Sequence, residues 1–86
     1  MVEVKIMLPG AMADSNDQHF KMKVNRRLDK AIEYIYQFIF EKWGIESAQY
    51  MLVYNNNCIT SYIKKNNNSI VKTGDVFKVI LRISGG

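Results

Sequence analysis

Apolar and polar residues alternate from the start of the chain. Val2, Val4, Ile6 and Leu8 share one parity, and Glu3, Lys5 and Met7 hold the other. That period of two predicts a half-buried strand. Pro9-Gly10 ends it, because proline cannot donate to a ladder and glycine permits the turn. The small and polar stretch 11–18 predicts a loop. Phe20, Met22 and Val24 then alternate with His19, Lys21 and Lys23, a second strand that forms a hairpin with the first across a long connection. The period next changes to that of a helix: Leu28, Ala31, Ile32, Ile35 and Ile39 fall on one face, with Phe38 beside them, and Asp29, Lys30, Glu33, Gln37 and Lys42 on the other. The spacing predicts a helix over 26–43. Asn25 is placed to cap its N-terminus and Gly44 to supply the left-handed residue that ends it. Trp43 is expected to cover the lower edge of the core.

Residues 49–54 predict a third strand, and Asn55-Asn56-Asn57 a turn, since asparagine tolerates left-handed backbone. Residues 58–60 predict a short return strand, and 61–69, with Asn66-Asn67-Asn68, an irregular segment. Thr73-Gly74-Asp75 turns the chain into a last strand. Phe77, Val79, Leu81 and Ile83 lie on one of its faces, and Lys78, Ile80 and Arg82 on the other. The expected core is Val4, Ile6, Met22, Leu28, Ile32, Ile35, Met51, Val53, Phe77 and Val79. Matching strands by these inward residues places Leu52 and Ile80 outward, flanked by Lys78 and Arg82. An exposed aliphatic pair beside basic residues is a candidate docking surface; the plain alternative is that these are ordinary strand residues. One helix must cover one face of a mixed sheet, because nothing else can bury both apolar surfaces. The expectation is an α+β fold with a mixed four- to five-stranded sheet packed on one helix. That is the element order of the ubiquitin-like β-grasp, as a single domain over 1–86.

Composition narrows the function classes. The chain has 86 residues, 48% of them hydrophobic, enough for a core and too many for a disordered segment. A single cysteine, Cys58, rules out a disulfide framework and a thiolate metal cluster. It is expected to be a small half-buried strand residue without an activating base. His19 is the only histidine, which argues against a His-based metal site or a triad. Asp14 and Asp17 are two carboxylates without further ligands. No apolar run suits a membrane span, and the N-terminus lacks the signal-peptide pattern, so a cytoplasmic setting is expected. The net charge of +4 suits either a solvated surface or an acidic partner. Lys64, Lys65 and Lys72 with Tyr62 resemble a basic stripe, but no nucleic-acid platform accompanies them.

The chain closes on Ile80-Leu81-Arg82-Ile83-Ser84-Gly85-Gly86. Together with Val53-Tyr54-Asn55 and Gly74-Asp75, this ending resembles the MoaD/ThiS sulfur carriers. In that family a strand ends at an asparagine-containing turn, a Gly-Asp opens the final strand, and that strand runs into a terminal Gly-Gly. Ubiquitin is similar, since Leu81 and Arg82 match its Leu-Arg-x-x-Gly-Gly ending. The chain differs from the molybdopterin carrier in having Leu81-Arg82 where prolines are usual, and in being basic.

The resemblance implies a carrier that contributes no catalyst of its own. Gly86 would be the acylated residue, and Gly85 would let it enter a narrow channel, having no Cβ. The tail, 84–86, is expected to be flexible. An E1-like adenylating enzyme would be the partner, using ATP, and the carrier would bind no cofactor or metal. A synthase large subunit or a conjugation target would receive the acyl group; neither a membrane nor nucleic acid is implied. Three functions stay open. Gly86 could become a thiocarboxylate for sulfur transfer, it could form an isopeptide bond with a target lysine, or the fold could serve as a non-covalent binding module.

Overall fold

The computed structural model describes residues 1–10, 19–59 and 69–82. The strands are β1 (Val2–Met7), β2 (His19–Val24), β3 (Tyr50–Tyr54), β4 (Asn57–Cys58) and β5 (Val76–Leu81), with the helix α1 (Leu28–Trp43) between β2 and β3. They form one five-stranded sheet in the order β2-β1-β5-β3-β4. β1 and β5 are parallel at its centre, and the other pairs are antiparallel. α1 packs on one face. Its buried stripe is Leu28, Ala31, Ile32, Ile35 and Ile39, the set that the helical period marks. From the sheet come Val4, Ile6, Val24, Tyr50, Leu52, Tyr54, Phe77 and Val79, with Ile59 and Val71 from the connections. Met22 is half-buried against this core.

Both helix ends have local causes. Gly44 stands at φ +70° and its N–H donates to the Phe40 carbonyl at 2.8 Å, as a left-handed terminator should. At the other end Asn25 is not the cap. Its Oδ1 accepts from the Arg27 N–H at 2.9 Å, and the helix begins at Leu28 with Arg27 at the cap position. The reason is tertiary. Arg27 bridges to Ile70, the Leu28 N–H donates to the Ser69 carbonyl, and the Val71 N–H donates to the Arg26 carbonyl. This pairing holds Arg27 extended and supplies an acceptor that a side chain otherwise provides. Trp43 lies at the core's edge, with its ring 6.4 Å from Phe20 and 6.2 Å from Phe38. The Lys42 Nζ stands 5.1 Å above the indole.

The third strand faces the opposite way from its expected assignment. Tyr50, Leu52 and Tyr54 are buried, whereas Met51 and Val53 turn outward and are half-buried. Leu52, expected at the surface, is only 1% exposed. The stretch Tyr50-Met51-Leu52-Val53-Tyr54 has no polar member, so alternation cannot choose its parity. Ring packing and register choose it. Tyr54 stacks at 4.9 Å on Phe77, and Tyr50 meets Tyr36 edge-on at 5.7 Å. Cross-strand pairs Tyr54↔Phe77 and Leu52↔Val79 carry that parity along the sheet.

A small clasp sets this register. Asn55 and Asn56, at φ +46° and +70°, form the two-residue turn between β3 and β4, so Asn57 belongs to β4 instead of the turn. The Asn55 N–H donates to the Val76 carbonyl, and the Val76 N–H donates to Asn55 Oδ1, each at 3.0 Å. Beside it, Asp75 Oδ2 accepts from the Tyr54 hydroxyl and from the Lys72 N–H. Gly74, at φ +92°, makes the turn that delivers Asp75. Burial alone raises the Asp75 pKa. The hydrogen bonds from Tyr54, Lys72 and Asn55, and the Lys72 charge, outweigh it and hold the carboxyl below its usual range.

Two predictions follow from this packing. Leu52→Ala should cost about 2–5 kcal/mol, and Met51→Ala about 1 kcal/mol or less, in denaturant unfolding; the reverse order contradicts the observed parity. Because the folded Asp75 pKa is depressed, its stabilisation is complete above the unfolded carboxylate value of about 3.9 and is lost as pH falls through the lower folded value. Wild type should therefore lose more stability between pH 5 and pH 2 than Asp75→Asn does. Parallel pH profiles of the two melting temperatures would contradict the clasp.

Candidate functional site

The face of the sheet away from α1 has no covering element among the described residues. Its strands present Glu3, Lys5 and Met7 from β1, His19, Lys21 and Lys23 from β2, Met51 and Val53 from β3, and Val76, Lys78 and Ile80 from β5. Parity puts these here, since their neighbours along each strand point into the core.

Apolar surface is concentrated on the β5–β3 side. Ile80 is 41% exposed and directly opposite Met51. Lys78 is exposed, with Val53 opposite it on β3 and Met7 opposite it on β1. Met7, Val53, Val76 and Lys78 also line an open hollow of about 420 Å³ that ends at Asn55 and Asn56. The face therefore carries an apolar ridge, Met51–Ile80, and an apolar hollow, divided by one lysine. Arg82 is exposed past the end of β5, and its N–H continues the ladder to the Gln49 carbonyl at 2.9 Å. The ridge thus lies beside the end of β5.

Of the expected docking residues, Lys78 and Ile80 share the outer side of β5, and Arg82 is exposed just past its end. Leu52 does not join them, because it is packed beneath the sheet. Met51 and Val53 take its place, and Met7 extends the surface. Met51 and Val53 were expected in the core, whereas Met7 keeps the outward parity that it shares with Glu3 and Lys5. The signal that could have found them is the Tyr50/Leu52/Tyr54 spacing: two large aromatics and a leucine at one parity outcompete Met51 and Val53 for the interior. Gly85 and Gly86, the tail 84–86, Ile83, Asp14, Asp17, Tyr62, Lys64, Lys65, the loop 11–18 and the irregular stretch 60–68 lie outside the described residues.

The remaining candidates are placed plainly. Cys58 is half-buried in β4, opposite Val53. His19 is exposed at the edge strand. Lys72 is exposed, and its backbone N–H serves the Asp75 clasp. Among the described residues no group of three His, Cys, Asp or Glu side chains could hold a metal ion, and no helix is long and apolar enough to cross a membrane. Tyr50 is buried opposite Leu81, and no partner for its hydroxyl lies among the described residues. Burial, and then the neighbouring Tyr36, push its pKa up.

No protein-family model matches the sequence, and comparison with curated proteins gives no match. Among solved structures, the chain is similar to a chain in the protein–protein complex of subunits 1 and 2 of molybdopterin-converting factor from Helicobacter pylori 26695. The sequence identity is 23% and the TM-score 0.57, over 99% of this chain and 100% of that one. At that identity the likeness is one of fold. Together with the mixed five-stranded sheet packed on one helix, the likeness shows that the chain has a ubiquitin-like β-grasp fold.

Proposed function

We propose that this protein is a sulfur carrier of the MoaD/ThiS type, and that the carboxylate of Gly86 is the group it carries sulfur on. The observation that supports this most is the combination of the β-grasp likeness with a Gly-Gly following β5. A carboxylate is a poor electrophile until its oxygen becomes a leaving group. In this scheme the Gly86 carboxylate attacks the α-phosphorus of ATP in an E1-type adenylating enzyme, releasing pyrophosphate. Hydrosulfide, or a donor of equivalent sulfur, then displaces AMP and leaves a thiocarboxylate. Gly85 has no Cβ to obstruct a narrow channel. The four residues after Arg82 span at most roughly 14 Å, so the activating site must sit close to the Met51–Ile80 ridge. That ridge is the docking surface, with Lys78 and Arg82 steering an acidic partner. The partner that accepts the sulfur is a synthase large subunit. The similar structure, a complex of two subunits of molybdopterin-converting factor, favours such an acceptor over a conjugated lysine.

The proposal separates docking from chemistry. Ile80→Ala should weaken binding to the adenylating enzyme by about 1–2 kcal/mol while moving the melting temperature little. Deleting Gly86 should leave binding and stability nearly intact and abolish ATP-dependent pyrophosphate release. Arg82→Glu should slow association, and added salt should shrink that difference. If the deletion variant still supports pyrophosphate release, the tail is not the activated group.

A further inference from the structure

A second feature of the outer face lies away from the apolar ridge. Lys5 and Lys21 stand directly opposite each other in the β1–β2 ladder. Facing positions of this kind bring Cβ atoms to about 4.5–5.5 Å, and like charges there destabilise the pair. Across β1 on its other side, Lys5 faces Val76, which offers no compensating charge. The two lysines border a half-open hollow of about 170 Å³ that Glu3, Val4, Thr73 and Gly74 also line. Its turn wall is pinned by the Gly74 N–H, which donates to the Glu3 carbonyl at 3.0 Å. The volume matches several water molecules at about 30 Å³ each, room for one tetrahedral oxyanion. Glu3 is the one carboxylate on the wall, and it faces Lys23 across the ladder, which offsets its charge.

We propose that Lys5, Lys21 and the Thr73 hydroxyl form a binding site for a phosphoryl dianion. Two ammonium groups and a hydroxyl belong to residues that line one cavity, and an anion bound there would offset the like charge of the facing lysines. The phosphoryl group comes either from free phosphate or from the end of a nucleotide, whose remainder would extend into solvent. This site does not depend on the carrier function or on the tail.

The test is thermal unfolding and amide NMR of the full chain with inorganic phosphate, with ATP, and with sodium chloride at matched ionic strength. Phosphate should raise the melting temperature saturably and shift amide signals at 3–5, 21 and 73–74. Lys5→Gln and Lys21→Gln should each weaken phosphate binding at least tenfold, Glu3→Gln should tighten it, and Lys30→Gln, on the helix side, should leave it unchanged. Without phosphate, Lys21→Gln should melt about 1–4 °C above wild type. Tighter binding of ATP than of phosphate supports the nucleotide source, and equal binding supports free phosphate. If sodium chloride reproduces the phosphate effect, or Lys30→Gln weakens binding as much as Lys21→Gln, the site is wrong.

Discussion

The two hydrogen bonds between Asn55 and Val76 govern which way the sheet presents itself. They join the end of β3 to the start of β5, and the Asn55 side-chain oxygen takes the position that a strand carbonyl would hold. A slip of one residue here would exchange the two faces of β3. Tyr50, Leu52 and Tyr54 would go to solvent, and Met51 and Val53 would go under the helix. Asp75 reinforces the clasp through the Tyr54 hydroxyl, whose ring is already held on Phe77, so the polar and apolar determinants of register act on one residue. β1 is tied in at the same place, since the Lys5 N–H donates to the Asp75 carbonyl at 2.9 Å. Three strands therefore take their alignment from a few atoms near one turn.

Much of this was legible in the sequence, and the limits have physical causes. The helix stripe Leu28–Ile39 and the alternation in β1, β2 and β5 are strong periodic signals, because each has polar residues to contrast with apolar ones. Gly44 and the Asn55-Asn56 turn were legible from the backbone angles that those residue types permit. β3 was not, because five apolar residues in a row carry no contrast. Asn25 was misplaced because a partner 41–45 residues later in the chain, the Ser69–Val71 segment, decides where the helix starts, and local capping preference does not see it. In the candidate site, Ile80, Lys78 and Arg82 were legible from the last strand alone, and their partners Met51 and Val53 depended on the unreadable strand.

The two faces of the sheet divide the work. The inner face supplies stability through its buried side chains, and among the described residues the Tyr50 hydroxyl has no hydrogen-bond partner. The outer face has apolar residues on β3 and β5 and lysines on β1 and β2, so a partner reading the first half need not cover the second. Leu81 and Arg82, at the end of β5, stand beside the apolar half.

The measurement that tests the carrier reading most directly is the intact mass of the protein purified from cells, followed by fragmentation to locate any change. Replacement of one carboxylate oxygen of Gly86 by sulfur, reversed by mild hydrolysis, is the result the account predicts. Protein found only as an adduct joined through a target lysine, or with Gly86 unchanged when an adenylating enzyme, ATP and a sulfur donor are supplied, would contradict it.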